Sequence, residues 1–210
     1  LGKFVVTQSS DRTCRVYKRK TPQSKDYSLH QILKNITPNI NQDNTKNGDN
    51  TSNEKPKKSR IFLPDTIGTF FRRLTFSPDG LLLFTPCAVK QSVDSDSPDI
   101  YSTFIWSRHD FSKPLLYLPC GTNPSFVVRC HPTLFQLKKN LEGTVHPEPW
   151  YSLPYRIVFA IGTKTEVIIY DTQHQGAIGR ISGYHLASIT DLAWYNETLV
   201  VSSRDAFCSV

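Results

Sequence analysis

The chain repeats itself, and that repetition restricts its fold more than any other property. Ser9–Tyr17 reads SSDRTCRVY and Ser202–Val210 reads SSRDAFCSV. Each copy is a pair of serines leaving one strand, an aspartate in a turn, and a new strand opening through a cysteine. Between them one order of short segments recurs. RRLTFSP (Arg72–Pro78) is matched by SFVVRCHP (Ser125–Pro132) and by ITDLAWY (Ile189–Tyr195). The first is followed by LLLFTP, STFIWSR and PLLYLP, the second by YRIVFAIGT, EVIIYDT and AIGRIS, the third by TLVVSS and FCSV. Short β-branched and aromatic runs bounded by Gly, Pro, Asp and Ser read as strands. Phe4–Val6 and Thr13–Tyr17 form a further hairpin at the start.

Four short strands, a polar connection, then four more predict an all-β chain with the architecture of a WD-repeat β-propeller. In SPDG (Ser77–Gly80), Pro suits the second turn position and Gly supplies the positive φ. IIYDT (Ile168–Thr172) stands where such repeats carry an aromatic-Asp pair. Other positions depart from the pattern. Ile105–Arg108 reads IWSR, and the turn after Trp194 reads YNET, without glycine. His185 sits where repeats place a histidine before the next blade, so a hydrogen-bonding role is expected of it. About 145 residues remain outside one loop and one insertion, enough for three to four blades of an expected seven. Such a partial propeller leaves sheet edges exposed. With no Met and a start at Leu1, the chain is expected to be a piece of a longer protein. The expected divisions are 1–17, the end of one blade; 18–62, a long disordered loop; 63–122, a blade; 123–183, a blade with an insertion at 133–154; and 184–210, the start of the next.

The loop assignment rests on composition. NQDNTKNGDNTSNEKPKKSR is nearly free of apolar residues and cannot offset its ordering entropy by burial. YSLHQIL (Tyr27–Leu33) ahead of it is expected to add a strand to the first sheet. Charge concentrates here too. Lys18–Arg60 holds ten Lys and Arg against four Asp and Glu, so most of the net +7 lies in this segment. The remainder is near neutral, unlike a nucleic-acid-binding surface. Lys55, Lys57, Lys58 and Arg60 could form a nuclear import signal or an ordinary solvated loop. No run of eighteen apolar residues is present, so no membrane span is expected, and no leader is visible. Five scattered cysteines suit a reducing compartment and are expected to behave as small apolar residues.

No catalytic signature is found. A Gly-rich phosphate loop and a Gly-x-Ser-x-Gly elbow are both missing from the sequence, and the six histidines lack metal-ligand spacing. No enzyme activity, cofactor, metal or small-molecule substrate is expected. Two sets of residues are candidates for partner binding. Arg72 and Arg73 interrupt an apolar run. Read as one strand, Phe70–Phe76 puts Arg72 with Leu74 and Phe76, and Arg73 with Phe71 and Thr75. The arginines either cover the core and pair with a neighbouring blade's carboxylate, or face the central opening and bind an acidic segment. Trp150, Tyr151 and Tyr155 lie among prolines in the insertion. They either meet a partner, as aromatics at hot spots do, or seal the propeller's own edge.

SSDRTCRVY, FFRRLTFSPDG, VVRCHPTLF, SLPYRIVFAIGT, VIIYDTQ and ITDLAW together resemble the WD-repeat, middle-subunit family of chromatin assembly factor one, called Fas2 in plants. The resemblance spans nearly the whole chain except the Lys/Asn-rich loop. It implies a non-enzymatic scaffold in a nuclear histone chaperone that deposits newly made, tetramer-forming core histones during replication and repair. The implied partners are the other subunits of that factor, core histones, and a histone chaperone docking on a tail C-terminal to the propeller. Alternatives are a HIR-type chaperone propeller and a ubiquitin-ligase substrate receptor.

Overall fold

Antiparallel ladders account for the regular structure in the computed structural model, which describes residues 2–36, 59–67, 69, 71–92, 97–138 and 150–210. The first sheet is a meander of β1 (Phe4–Ser9), β2 (Thr13–Arg19) and β3 (Tyr27–Leu33). A two-stranded ribbon follows, β4 (Asn35–Ile36) with β5 (Ser59–Arg60), and then a 3₁₀ turn at Asp65–Ile67. The second sheet runs β6 (Thr75–Phe76), β7 (Leu82–Lys90), β8 (Ile100–Ser107), β9 (Leu116–Pro119). The third runs β10 (Ser125–Cys130), β11 (Val158–Thr163), β12 (Glu166–Asp171), β13 (Gly179–Ser182). The last holds β14 (Ile189–Tyr195), β15 (Thr198–Ser203) and β16 (Cys208–Ser209). Strand order equals chain order in every large sheet, as a partial propeller requires.

The hairpin turns follow their sequences. Gly80 takes φ +71°, and the Asp79 carboxylate accepts the Leu81 N–H at 3.0 Å and the Ser77 hydroxyl. At YNET the left-handed position falls to Asn196, φ +49°. Asparagine tolerates that region better than other side chains, which explains a tight turn without glycine.

The core lies between the sheets. Leu82, Phe84 and Ile105 of the second sheet meet Val128, Phe159, Ile161 and Ile168 of the third. The Phe84 and Phe159 rings stand 4.6 Å apart, and Tyr170 stacks on Phe159. Cys14, Val16 and Leu33 of the first sheet pack with Leu83, Phe104 and Trp106. Val127, Ala160 and Val167 pack with Ile189, Leu192 and Val201 of the last. The two middle sheets are therefore covered on both faces. That is why Leu82–Val89 is buried at every position, with no alternation to read.

The structure corrects several expectations. The loop placed at 18–62 is narrower: β2 runs to Arg19, β3 occupies Tyr27–Leu33 as the strand expected there, and Ile61 and Phe62 are buried. The composition that suggested a loop belongs to its middle, and 37–58, including Lys55, Lys57 and Lys58, lies outside the described residues. Arg60 is in β5, paired with Asn35. Of the run read as one strand, the described residues 71–76 do not form one. β6 is two residues long, and Ile61–Leu63 takes the place beside the far half of β7, with Phe62 bridged to Ala88 and Leu63 N–H on Cys87 O. The inner strand splits where β7 bulges between Thr85 and Ala88; Pro86 has no N–H to give, and Cys87 turns to φ +55°. Four cysteines are buried or partly buried, but Cys208 is exposed.

Candidate partner-binding surfaces

Because β6, β10 and β14 each lead their sheet, they converge on one region, and the polar groups there are shared between sheets. Arg73 leaves the β6 ladder and joins β10: its N–H donates to Phe126 O at 2.8 Å and its carbonyl accepts Val128 N–H at 3.0 Å. Its guanidinium lies 4.4 Å over the Phe71 ring and reaches Asp191 Oδ2 at 3.3 Å. Arg129 of β10 meets the other oxygen of Asp191 at 2.9 Å and donates Nε to Leu192 O at 3.1 Å. One carboxylate on β14 thus receives an arginine from β10 and another from the segment before β6. All three side chains are about one third exposed, so each pair is worth roughly 0.2–1 kcal/mol.

Arg72 points elsewhere. Nη2 donates to Pro64 O at 2.8 Å, and Nη1 is buried with no hydrogen-bond partner among the described residues. Burial pushes the Cys87 thiol up to about 12, against the opposing charge of Arg72. The two neighbouring arginines therefore divide. Arg72 anchors the chain near Pro64, and Arg73 pairs with the carboxylate of a neighbouring sheet. Sequence reasoning named neither Arg129 nor Asp191. Both sit inside quoted repeat segments, VVRCHP and ITDLAW, at positions where a core strand carries an unexpected charge.

The insertion's aromatics face their own sheet. Trp150 donates Nε1 to Asp171 O at 3.1 Å, with Tyr151 beside it, ring centres 6.2 Å apart. Trp150, Tyr151, Leu153 and Tyr155 pack on the core between the second and third sheets. The Tyr155 hydroxyl donates to Asp79 Oδ2 at 2.6 Å, and that bond drives its own ionisation up to about 12. A tyrosine just ahead of β11 of the third sheet thus clasps the SPDG turn of the second. Asp171, the aspartate of the aromatic-Asp pair, is fully buried. It accepts Arg156 at 3.1 Å, His174 at 2.9 Å and the N–H groups of Gln173 and His174. Gln173 and Lys138 exchange two hydrogen bonds of 2.9 Å, fastening the near end of the insertion to the same sheet. Residues 139–149 of the insertion lie outside the described residues.

His185 takes the hydrogen-bonding role expected of it. Its Nδ1 meets Asp205 at 3.1 Å and its Nε2 meets Ser209 Oγ at 2.9 Å. Asp205 Oδ2 also accepts Leu186 N–H at 2.9 Å. Burial raises the Asp205 pKa, but hydrogen bonds from the Phe207 N–H, His185 and the Leu186 N–H outweigh it and bring the value down to about 2. Ser, His and Asp in this order can serve nucleophilic catalysis. Here His185 and Asp205 are almost fully buried and tie the loop before β14 to the turn before β16. The comparable bond in the second sheet is Trp106 Nε1 to Thr85 Oγ1, 2.9 Å, fully buried. Among the described residues no group of three or more His, Cys, Asp or Glu is placed to hold a metal ion.

Residues 1–210 match the family model described as the CAF1B/HIR1 beta-propeller domain. The chain is 34% identical over 212 residues to the chromatin assembly factor 1 subunit FAS2 homolog of Oryza sativa subsp. japonica, covering 100% of this chain and 40% of that protein. It is 32% identical over 215 residues to the chromatin assembly factor 1 B-subunit of Gallus gallus, covering 100% of this chain and 35% of the relative. The same B-subunit of Schizosaccharomyces pombe is 34% identical over 165 residues, covering 77% of this chain and 32% of the relative. The chain therefore spans well under half the length of these relatives.

Proposed function

The chain belongs to the CAF1B/HIR1 β-propeller family, and on that premise we propose that it is a scaffold region of a nuclear chromatin assembly subunit. Its work is to hold partners, not to transform a substrate. The complex it serves deposits newly made, tetramer-forming core histones on DNA during replication and repair. Its partners are the other subunits of chromatin assembly factor one, core histones, and a histone chaperone that docks on sequence beyond the propeller. The observation that carries this reading is the match over all 210 residues together with relatives named as subunits of chromatin assembly factor 1. The geometry supports it. Asp171, Asp191, Asp205, Arg129, Arg156 and His185 each use polar atoms to join strands and turns. A rigid frame that leaves its loops for recognition is the arrangement a scaffold needs.

Of the five residues expected to meet a partner, Arg73 keeps the best placement. It is partly exposed on the innermost segment, and among the described residues its ion pair and side-chain hydrogen bond both run through Nε, to Asp191 and Thr190 O. Its remaining N–H groups suit a carboxylate of an acidic stretch in the large subunit. Arg72, Trp150 and Tyr155 commit polar atoms inside the fold. The family description names a HIR1 propeller as well, so a HIR-type chaperone is the second reading.

Affinity purification of the intact protein from nuclear extract at moderate salt, with mass spectrometry of what is retained, tests both. Recovery of a large subunit rich in both charge signs, a second WD-repeat subunit and core histones supports the first reading. Histones with a different set of subunits support the second. Ubiquitin-ligase adaptors without histones overturn both.

A further inference from the structure

At the end of the sheets opposite the SPDG turn and the insertion, the β11–β12 and β15–β16 turns stand side by side. Lys164 and Thr165 form the tip of one, and Arg204 opens the other. The loop from His185 to Ser188 floors the space between them, a groove of ≈ 380 Å³. That is room for one or two side chains of a ligand. Three features make it more than a gap between loops.

First, its rims carry cations. The Lys164 and Arg204 side chains have no carboxylate partner among the described residues. The nearby acids are occupied: Asp205 by His185 and the Leu186 N–H, and Glu166 by Arg180 at 3.0 Å. Second, Leu186 is fully exposed, yet its backbone is fixed by the 2.9 Å bond to Asp205. The His185–Asp205–Ser209 chain therefore presents an apolar knob on a rigid loop. Third, the two sides of the Lys164–Thr165 tip differ. Toward the second sheet Asn123 bonds Thr165 at 3.3 Å and bridges the gap; toward the last sheet the groove stays open.

We propose that this groove is a docking site for an extended acidic segment of a partner protein. Its carboxylates pair with Lys164 and Arg204, and an apolar side chain between them rests on Leu186 and Ala187. The charge excess of the rims fits an anion, and the exposed leucine fits a peptide better than a sugar-phosphate backbone. The site is independent of the chromatin reading, which can fail without it.

The test uses the intact protein and a fluorescein-labelled peptide of repeated Glu-Leu-Glu-Asp, followed by anisotropy. Its Gln-Leu-Gln-Asn counterpart is the control. The acidic peptide is expected to bind about tenfold or more tighter than the control. Lys164→Glu with Arg204→Glu is expected to abolish that preference, and Leu186→Asp to weaken binding severalfold. Lys113→Glu, an exposed cation on the opposite end, is expected to change nothing. All these positions are exposed, so folding is expected to survive, and unchanged thermal unfolding verifies it. Equal binding of the two peptides overturns the proposal, as does equal loss in Lys113→Glu. So does a result in which duplex DNA binds, the double substitution abolishes it, and the peptide does not bind.

Discussion

Gly162 lies in β11 opposite Val127 of β10, at the junction of the third and last sheets. A methyl group there would fall 2.6 Å from Val127 Cγ1, 3.4 Å from Leu192 Cδ1 and 3.6 Å from Ile189 Cγ2. Carbon atoms in contact prefer about 3.5–4.0 Å. Leucine can yield by rotation, but Val127 is fully buried and stiff at χ1. Gly162→Ala is thus an overpacking substitution costing about 1–3 kcal/mol. Restricting the unfolded chain returns about 0.4–1 kcal/mol, so the net loss is about 1–2 kcal/mol. Val127→Ala alone is expected to cost about 2 kcal/mol, from two lost methyl groups. If Val127 Cγ1 is the obstacle, the double variant is more stable than the sum of the two by about 1–2 kcal/mol. Urea unfolding of the four proteins measures this as midpoint shifts at constant slope. Strict additivity, or a stabilised Gly162→Ala, would refute the packing argument.

Tyr155→Phe removes the 2.6 Å bond to Asp79 and is expected to cost about 1–2 kcal/mol, read from the same urea curves; no loss would mean the clasp contributes nothing. Asp205 has a depressed pKa in the folded chain, so its contribution is present in full above about pH 4 and is lost as pH falls through about 2. The stability gap between the natural chain and Asp205→Asn should therefore be constant at higher pH and close across that window; a gap that widened on acidification would reverse the sign and refute the assignment. Cys14 and Cys87, raised to about 12 by burial, and buried Cys120 should resist thiol reagents at about pH 8 until urea unfolds the chain, whereas fast native labelling would contradict the packing.

Much of the architecture was legible along the chain because its signals are local. SPDG specifies a turn through Pro at its second position and Gly at positive φ, and the structure has that turn. Tyr27–Leu33 read as a strand and pairs with β2. His185 read as a hydrogen-bonding residue from its place before a repeat, and it bonds Asp205 and Ser209. The resemblance carried by FFRRLTFSPDG and SLPYRIVFAIGT led to the family that matches the whole chain.

What the sequence by itself determined, then, is the repeat: short strands, their turns, and the order in which they pair. What only the tertiary structure decided is where each charge goes. Alternation separates the two faces of a strand, but both faces of β7 are buried from Leu82 to Val89, so the period says nothing about inside and outside there. Arg72 and Arg73 are adjacent in a run that reads as one strand, yet one turns to Pro64 and the other crosses to β10 and Asp191. That division depends on the bulge in β7 and on a carboxylate far along the chain. Such partners meet only when the sheets pack, because a hydrogen bond or ion pair is fixed by distance in space and not by spacing in sequence.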